Sequence, residues 1–176
     1  ATKYVLVPTD GNVSSDWRRA DRGFEPTGWK NGRGGVGYDE NQTYRTHIGI
    51  DVNEEMNDKN TSVYVRIPFT VREGVLEGMN LLNLRVKYDD GFVAYLNGIR
   101  VAESNAPGTI RWNASASGDH ADAAAVSYQN FKISDHLGRL KEGPNVLAIQ
   151  GLNVQITSSD FLLDALLEVG VIESGK

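Results

Sequence analysis

Apolar and polar residues alternate with a period of two over much of the chain. The alternation is clearest in SVYVRIPF (residues 62–69), LLNLRVKY (81–88) and FLLDALLEV (161–169). Successive side chains of a β-strand point to opposite faces of its sheet, so strict alternation predicts strands with one buried face. The predicted buried faces comprise Val63, Val65, Ile67, Phe69, Leu82, Leu84, Val86, Tyr88, Phe161, Leu163, Ala165, Leu167 and Val169.

Further segments complete an all-β pattern. NVLAIQGL (145–152) is apolar on both faces, which predicts a central strand covered on both sides. The segments KYVLVP, RTHIGI, FVAYLNG, IRVAES and YQNFKIS bring the prediction to about nine strands, whereas ISDHLGRL offers only a short turn capped by Ser134. Many short strands in 176 residues predict one domain, residues 1–176, folded as an antiparallel β-sandwich of jelly-roll form.

Two turn dipeptides lie close together in YDDGFVAYLNGIRV (88–101). Asp90-Gly91 and Asn97-Gly98 both favour the positive φ angles of tight hairpins. Together they predict a meander of three successive strands with a hairpin turn at each dipeptide. Neither turn requires the preceding acidic residue, Asp89.

Net charge and cysteine content limit the kinds of partner and catalytic site that this chain can have. The formal charge is −5 and no basic stripe is present, which argues against nucleic acid as a partner. The absence of cysteine excludes disulfides, zinc–thiolate sites and cysteine nucleophiles. No apolar run approaches the roughly 20 residues of a membrane span, and neither a G-x-S-x-G elbow nor a P-loop occurs. We therefore expect a protein that is not an enzyme.

Three longer segments carry a resemblance to a known class of domains. SVYVRIPFTV, LRVKYDDGFVAYLNGIRVAESNAPG and LKEGPNVLAIQGLNVQITSSDFLLDALLEV follow one another at a spacing that resembles jelly-roll modules of the galactose-binding-like class. GWKNGRGGVGYD fits the opening of such modules, so the resemblance runs from about Trp29 onward. These modules are non-catalytic accessory parts of large exported bacterial proteins. The resemblance implies binding of a polysaccharide or other glycan, attached catalytic or anchoring domains in the same polypeptide, and an extracellular or cell-surface location.

The acidic pair Asp89 and Asp90 has two interpretations. In the first, turn chemistry explains Asp90-Gly91 and Asp89 is an exposed polar residue. In the second, the pair supplies two of the six to eight oxygen ligands of a structural calcium ion. An acidic pair at this point also resembles sugar-binding modules in which such a pair holds calcium. Asp160 is the candidate third ligand, although its Ser-Ser-Asp turn also suits simple bonding to backbone donors.

Aromatic residues in the non-alternating segments are candidates for contact with sugar. Trp29, Arg33, Tyr38 and Asp39 combine aromatic rings with polar groups, as do Arg111 and Trp112 in a long small-residue loop. The opposing interpretation is that these rings plug the ends of the sandwich, which is the stronger expectation for Trp17. Asn153, at the end of the most apolar strand, is a further candidate sugar contact.

One other acidic group is present in GDHAD (118–122). Asp119, His120 and Asp122 have the composition of a divalent-ion site, but this pattern is also common on protein surfaces, which is the favoured interpretation here.

Taken together, the sequence predicts a non-catalytic carbohydrate-binding module that targets an attached enzyme or anchor to polysaccharide. The alternative is a structural or protein-interaction β-sandwich without a sugar site.

Overall fold

The computed structural model describes residues 1–173, which form two packed β-sheets with very little helix. The strands are β1 (Lys3–Leu6), β2 (Lys30–Gly32), β3 (Gly35–Asp39), β4 (Ile48–Asp51), β5 (Ser62–Val71), β6 (Leu81–Asp89), β7 (Gly91–Leu96), β8 (Ile99–Ser104), β9 (Gln129–Lys132), β10 (Gly143–Leu152) and β11 (Asp160–Gly170). Two single-turn helices, α1 (Asn53–Met56) and α2 (Asp122–Ala125), and two 3₁₀ turns, Ser15–Arg18 and Ser134–Arg139, complete the described elements.

The strands form a first sheet in the order β2-β1-β5-β10-β7-β8 and a second sheet in the order β4-β3-β11-β6-β9. Along the chain, β5, β6 and β7 alternate between the sheets, and so do β9, β10 and β11. This confirms the predicted all-β sandwich, and crossing from sheet to sheet is what a jelly roll requires. The pairing is antiparallel throughout the described ladders except between β3 and β4, which run parallel.

The inner faces of the two sheets hold the main core. The predicted alternation is confirmed: Val63, Leu84 and Phe161 are fully buried between the sheets, and Phe69 and Leu167 are partly buried against them. Val169 is the exception, because it lies at the open end of the sandwich and is exposed. The strand β10 is buried on both faces from Asn145 to Leu152, as its apolar run predicted.

The glycine-rich stretch GWKNGRGGVGYD contains two strands, β2 and β3, that alternation did not predict. Glycine is needed there because β3 packs very closely against β11. A Cβ atom on Gly37 would lie 2.0 Å from the carbonyl oxygen of Phe161. The alternating pattern is therefore weak in this stretch, because the close approach of two backbones requires glycine at these positions.

The predicted three-strand meander is wrong. β6 belongs to the second sheet and β7 to the first, so Asp90-Gly91 carries the chain from one sheet to the other and does not close a hairpin. The second turn is confirmed, because Asn97 and Gly98 have φ angles of 50° and 89° and join β7 to β8. Asn97 also accepts a hydrogen bond from the Val146 N–H at 2.9 Å, which ties the hairpin to β10.

The outer face of the first sheet is covered by loops that form a second apolar cluster. Trp17, predicted to be a core residue, is 3% exposed and stacks on Tyr64 with 4.5 Å between ring centroids. The buried Arg66 donates to the carbonyl oxygens of Trp17 at 2.7 Å and Arg19 at 2.9 Å, which holds the 3₁₀ turn on the sheet.

Among residues 1–173, no helix has the length and apolar character needed to cross a membrane.

Candidate functional site

Three carboxylates meet at the end of the sandwich where β6 stops and β11 starts. Asp89 is the last residue of β6, Asp160 is the first of β11, and Asp122 begins α2. One carboxylate oxygen from each lies within 4.8 Å of the other two, a spacing that can hold a metal ion. We call these three residues the acidic centre. Asp89 and Asp160 are 3% and 9% exposed, whereas Asp122 is exposed.

The β6–β11 ladder explains why Asp89 and Asp160 come together. Asp89 pairs with Leu162, so the end of β6 lies beside the start of β11. The buried Tyr44 hydroxyl donates to Asp89 Oδ2 at 3.1 Å and fixes that carboxylate. Tyr44 is itself held by Asp39, whose carboxylate accepts a hydrogen bond from the Tyr44 backbone N–H.

The electrostatics of the acidic centre favour a cation. Burial, a hydrogen bond with Asp90, and the charges of Asp90 and Asp160 raise the pKa of Asp89 to about 9. Burial and the charge of Asp122 also raise the pKa of Asp160. Neighbouring buried carboxylates repel one another, and either a proton or a positive ion relieves that repulsion. A bound divalent cation would therefore lower the pKa values of both Asp89 and Asp160.

Asp90 was predicted to share a metal site with Asp89, but both of its carboxylate oxygens accept hydrogen bonds from backbone N–H groups. Oδ1 accepts from the His120 N–H at 3.0 Å and Oδ2 from the Val154 N–H at 2.8 Å. Asp90 therefore fastens two loops to the crossover between the sheets. The geometry groups Asp122 with Asp89 and Asp160, and places Asp90 just outside that group.

The GDHAD segment divides between two roles. Asp122 joins the acidic centre, which the favoured surface interpretation did not anticipate. His120 instead stacks on Tyr88 with 4.1 Å between ring centroids, and its Nε2 is hydrogen-bonded to the Gln129 amide at 2.7 Å. No spacing rule in the sequence connects Asp122 to Asp89, because the path of the long segment between β8 and β9 brings them together.

Three residues predicted to bind sugar lie behind the acidic centre. Tyr38 is 2% exposed, and its hydroxyl donates to the Ser158 carbonyl oxygen at 2.8 Å. Asn153 is buried and donates to the Tyr38 hydroxyl at 3.2 Å and to the Asp160 carbonyl oxygen at 3.0 Å. Asp39 accepts from the Asn41 N–H at 2.7 Å in addition to the Tyr44 N–H. Tyr38 and Asn153 thus support Asp160, and Asp39 supports Tyr44.

A separate small cleft lies on the outer face of the first sheet. Its volume is about 140 Å³, and we call it the aromatic cleft. Tyr95 and Gln150 from the sheet form its floor, the turn Ser15–Arg18 forms one wall, and Arg111 with Trp112 forms the other. Two of the predicted sugar contacts, Arg111 and Trp112, therefore lie together. Gln150 donates to the Arg111 carbonyl oxygen at 2.7 Å, which fixes the second wall on the sheet.

The remaining predicted contacts lie elsewhere. Trp29 is half-buried and packs against Trp17 and Phe24, with ring centroids 6.1 Å and 5.7 Å apart. Arg33 lines a larger, apolar cavity of about 480 Å³ at the opposite end of the sandwich from the acidic centre. The predicted group of Trp29, Arg33, Tyr38 and Asp39 is thus spread over three places in the fold.

A similar fold occurs within a much larger enzyme. The β-glucuronidase 2 of Bacteroides uniformis, bound to cyclophellitol-6-carboxylate aziridine, is similar to 92% of this chain over 17% of its own length, with 15% identity and a TM-score of 0.52. The β-glucuronidase of Bifidobacterium dentium gives 13% identity and a TM-score of 0.48, over 86% of this chain and 19% of its own. No protein-family model and no curated protein matches the sequence. The chain spans less than a fifth of the length of these enzymes, and at 15% identity the similarity to the Bacteroides uniformis enzyme shows the fold alone.

Proposed function

We propose that this chain is a non-catalytic carbohydrate-binding domain. The observation that supports it is the aromatic cleft, where Trp112 is half-buried next to polar groups from Arg111 and Gln150. Sugar rings present C–H faces that pack on aromatic side chains, and their hydroxyls need hydrogen-bonding groups beside those rings. The proposal places Arg111 and Trp112 in the binding surface. The other predicted contacts lie outside the cleft.

The acidic centre fits a structural role better than a catalytic one. Two of its three carboxylates are almost completely buried, whereas glycosidase carboxylates must flank a substrate bond. We propose that it holds calcium, because this ion prefers oxygen ligands from several carboxylates. Asp89, Asp122 and Asp160 would each supply ligands, and the ion would join β6, α2 and β11.

We further propose that the domain acts as an accessory part of an exported bacterial polypeptide with a catalytic or anchoring domain. The β-glucuronidases that share its fold are several times longer, which supports an origin in a multidomain protein. Binding to polysaccharide would then raise the local concentration of the attached domain on its substrate.

Affinity electrophoresis against a panel of polysaccharides, with a glycan array, tests the binding role. We expect retardation by at least one glycan and loss of that retardation in Trp112→Ala. Trp29→Ala is the matched control, because Trp29 lies outside the cleft, and it should keep binding as long as the protein remains folded. A blank panel with a folded wild-type protein would refute the proposal.

One observation favours a second candidate, a protein-interaction module. The apolar cavity at the open end is lined by Phe69, Val71 and Leu167, and Val75 and Val169 are exposed at its mouth. Exposed apolar surface around a cavity is typical of contacts between proteins. This candidate predicts a blank glycan panel together with self-association or copurification of a defined partner.

A further inference from the structure

The aromatic cleft carries charge of the opposite sign to the chain as a whole. The chain has a formal charge of −5, yet two of the residues that line the cleft, Arg18 and Arg111, are cationic. No aspartate or glutamate from residues 1–173 lines it. Two arginines in a cleft lined by aromatic residues form a local positive site in an acidic protein.

Neither arginine forms an ion pair with a carboxylate of residues 1–173. Within the described chain, the ion pairs of arginine involve Arg19, Arg85 and Arg100, and neither Arg18 nor Arg111 takes part in one. Arg18 lies over the Tyr95 ring with its guanidinium carbon 4.6 Å from the centroid, and its Nε donates only a long bond of 3.4 Å to the Ser15 carbonyl oxygen. The face of the Arg18 guanidinium is therefore stacked on Tyr95, whereas its terminal N–H groups, which lie in the plane of the guanidinium, remain available to a ligand.

The floor of the cleft adds a neutral acceptor. Gln150 donates its amide hydrogens to Ser62 Oγ at 3.0 Å and to the Arg111 carbonyl oxygen at 2.7 Å. In residues 1–173 no donor bonds to its Oε1, which leaves an acceptor for a hydroxyl group. An anionic group with a neighbouring hydroxyl on a ring would match the two arginines, Gln150 and the aromatic walls.

We infer that the aromatic cleft recognises a sugar bearing a carboxylate, that is, a uronic acid residue of a polysaccharide. Guanidinium groups bind carboxylates through two parallel hydrogen bonds between opposite charges, and a neutral sugar has no carboxylate to accept them. A cleft of about 140 Å³ suits one substituted edge of a sugar ring better than a whole oligosaccharide. This inference deepens the proposed function and depends on it.

Isothermal titration with a galacturonic acid oligosaccharide and its fully methyl-esterified form tests the inference. The two ligands differ in charge and share the sugar backbone. We expect the acid form to bind at least tenfold more tightly, the scale of a charge-assisted hydrogen bond. Arg18→Gln and Arg111→Gln should each remove most of that preference. Arg72→Gln, an exposed change of the same charge just beyond the end of β5, should leave it intact.

The outcomes separate this inference from the proposed function. If neutral glycans bind and Trp112→Ala abolishes that binding, but the arginine variants behave as wild type, the domain binds carbohydrate and the uronic acid assignment is wrong. A glucuronic acid oligosaccharide serves as a second uronate ligand. The uronic acid assignment is also wrong if a sulfated glycan binds and neither uronate ligand does. If no glycan binds, the proposed function itself fails. Equal losses in Arg72→Gln would show unspecific charge attraction, which also overturns the assignment.

Discussion

The acidic centre and the aromatic cleft are built in opposite ways. The acidic centre lies at the end of the sandwich and brings together carboxylates from three distant parts of the chain. The aromatic cleft lies outside the first sheet, where two loops hold arginine and tryptophan over Tyr95. The comparison shows that charge is unevenly distributed in this acidic chain, with three carboxylates grouped in one place and two arginines in another.

The difference also concerns how each site is supported. The position of Asp89 and Asp160 follows from strand register, so two of the three residues of the acidic centre are held by paired strands. The cleft depends on loops that are held by Trp17, Arg66 and Gln150. Loss of a supporting residue should therefore disorder the loops that form the cleft. At the acidic centre, the corresponding loss should change the balance of charge.

The largest expected effect comes from removing the support of the cleft. Trp17→Ala should lower the free energy of unfolding by about 3–5 kcal/mol, because it deletes a buried ring stacked on Tyr64. Urea denaturation followed by circular dichroism measures this loss. Trp112→Ala is the control, and its half-buried ring should cost less than half as much. Equal costs would mean that the cleft wall and its support are a single packed unit.

Calcium should produce the next largest effect, and at the acidic centre alone. At a calcium concentration one hundred times the Kd, a ligand of the native state adds about 2.7 kcal/mol to the free energy of unfolding. Calorimetry in calcium and in EDTA measures the gain, which should disappear in Asp89→Asn. Asp119→Asn, an exposed change in the same loop as Asp122, should keep it. Identical melting curves of the wild-type protein in calcium and EDTA would refute the calcium proposal.

The smallest expected effect on stability concerns Asp164, a carboxylate that is paired with the cation Lys3, unlike the carboxylates of the acidic centre. Burial raises the pKa of Asp164, but the charge and hydrogen bond of Lys3 and the Tyr128 hydroxyl outweigh it, so the pKa lies below its usual value. This stabilisation is complete above the unfolded-state pKa of about 3.9 and is lost as pH falls through the folded-state pKa. At pH 7, Asp164→Asn should cost about 1.5 kcal/mol.

The pH dependence provides the check on this third prediction. The difference in stability between wild type and Asp164→Asn should shrink between pH 4 and pH 2, as measured by urea titrations at each pH. Asp135→Asn, at an exposed carboxylate in the turn Ser134–Arg139, should show no such difference. A constant gap for Asp164→Asn over this range would mean that packing, and not charge, explains its cost.

Much of the fold could be predicted from the sequence, because alternation follows directly from strand geometry. Leu82, Leu84 and Val86 face the core as their spacing indicates. The assignment of strands to sheets was not predictable in the same way. A dipeptide such as Asp90-Gly91 suits a crossover between sheets as well as a hairpin, and only long-range pairing decides between them.

The candidate sites were less predictable, since both join residues far apart in sequence. Asp89 and Asp160 were recognised as acidic residues at strand ends, but Asp122 reaches them only through the path of its loop. Arg18 and Gln150 were not predicted to line a cleft, because nothing local distinguishes them from other polar residues. Trp112 and Arg111 were recognised because they adjoin each other in a long loop.

The position of β11 has a consequence for how the chain assembles. This last strand is central in its sheet, between β3 and β6, and pairs Asp160 with Asp39 across more than half of the sequence. Until it has been synthesised, β3 and β6 lack their common partner, and their edges are open to unwanted pairing. Such distant pairings form slowly, so we expect refolding in milliseconds to seconds. Folding during translation should be complete only after β11 has left the ribosome.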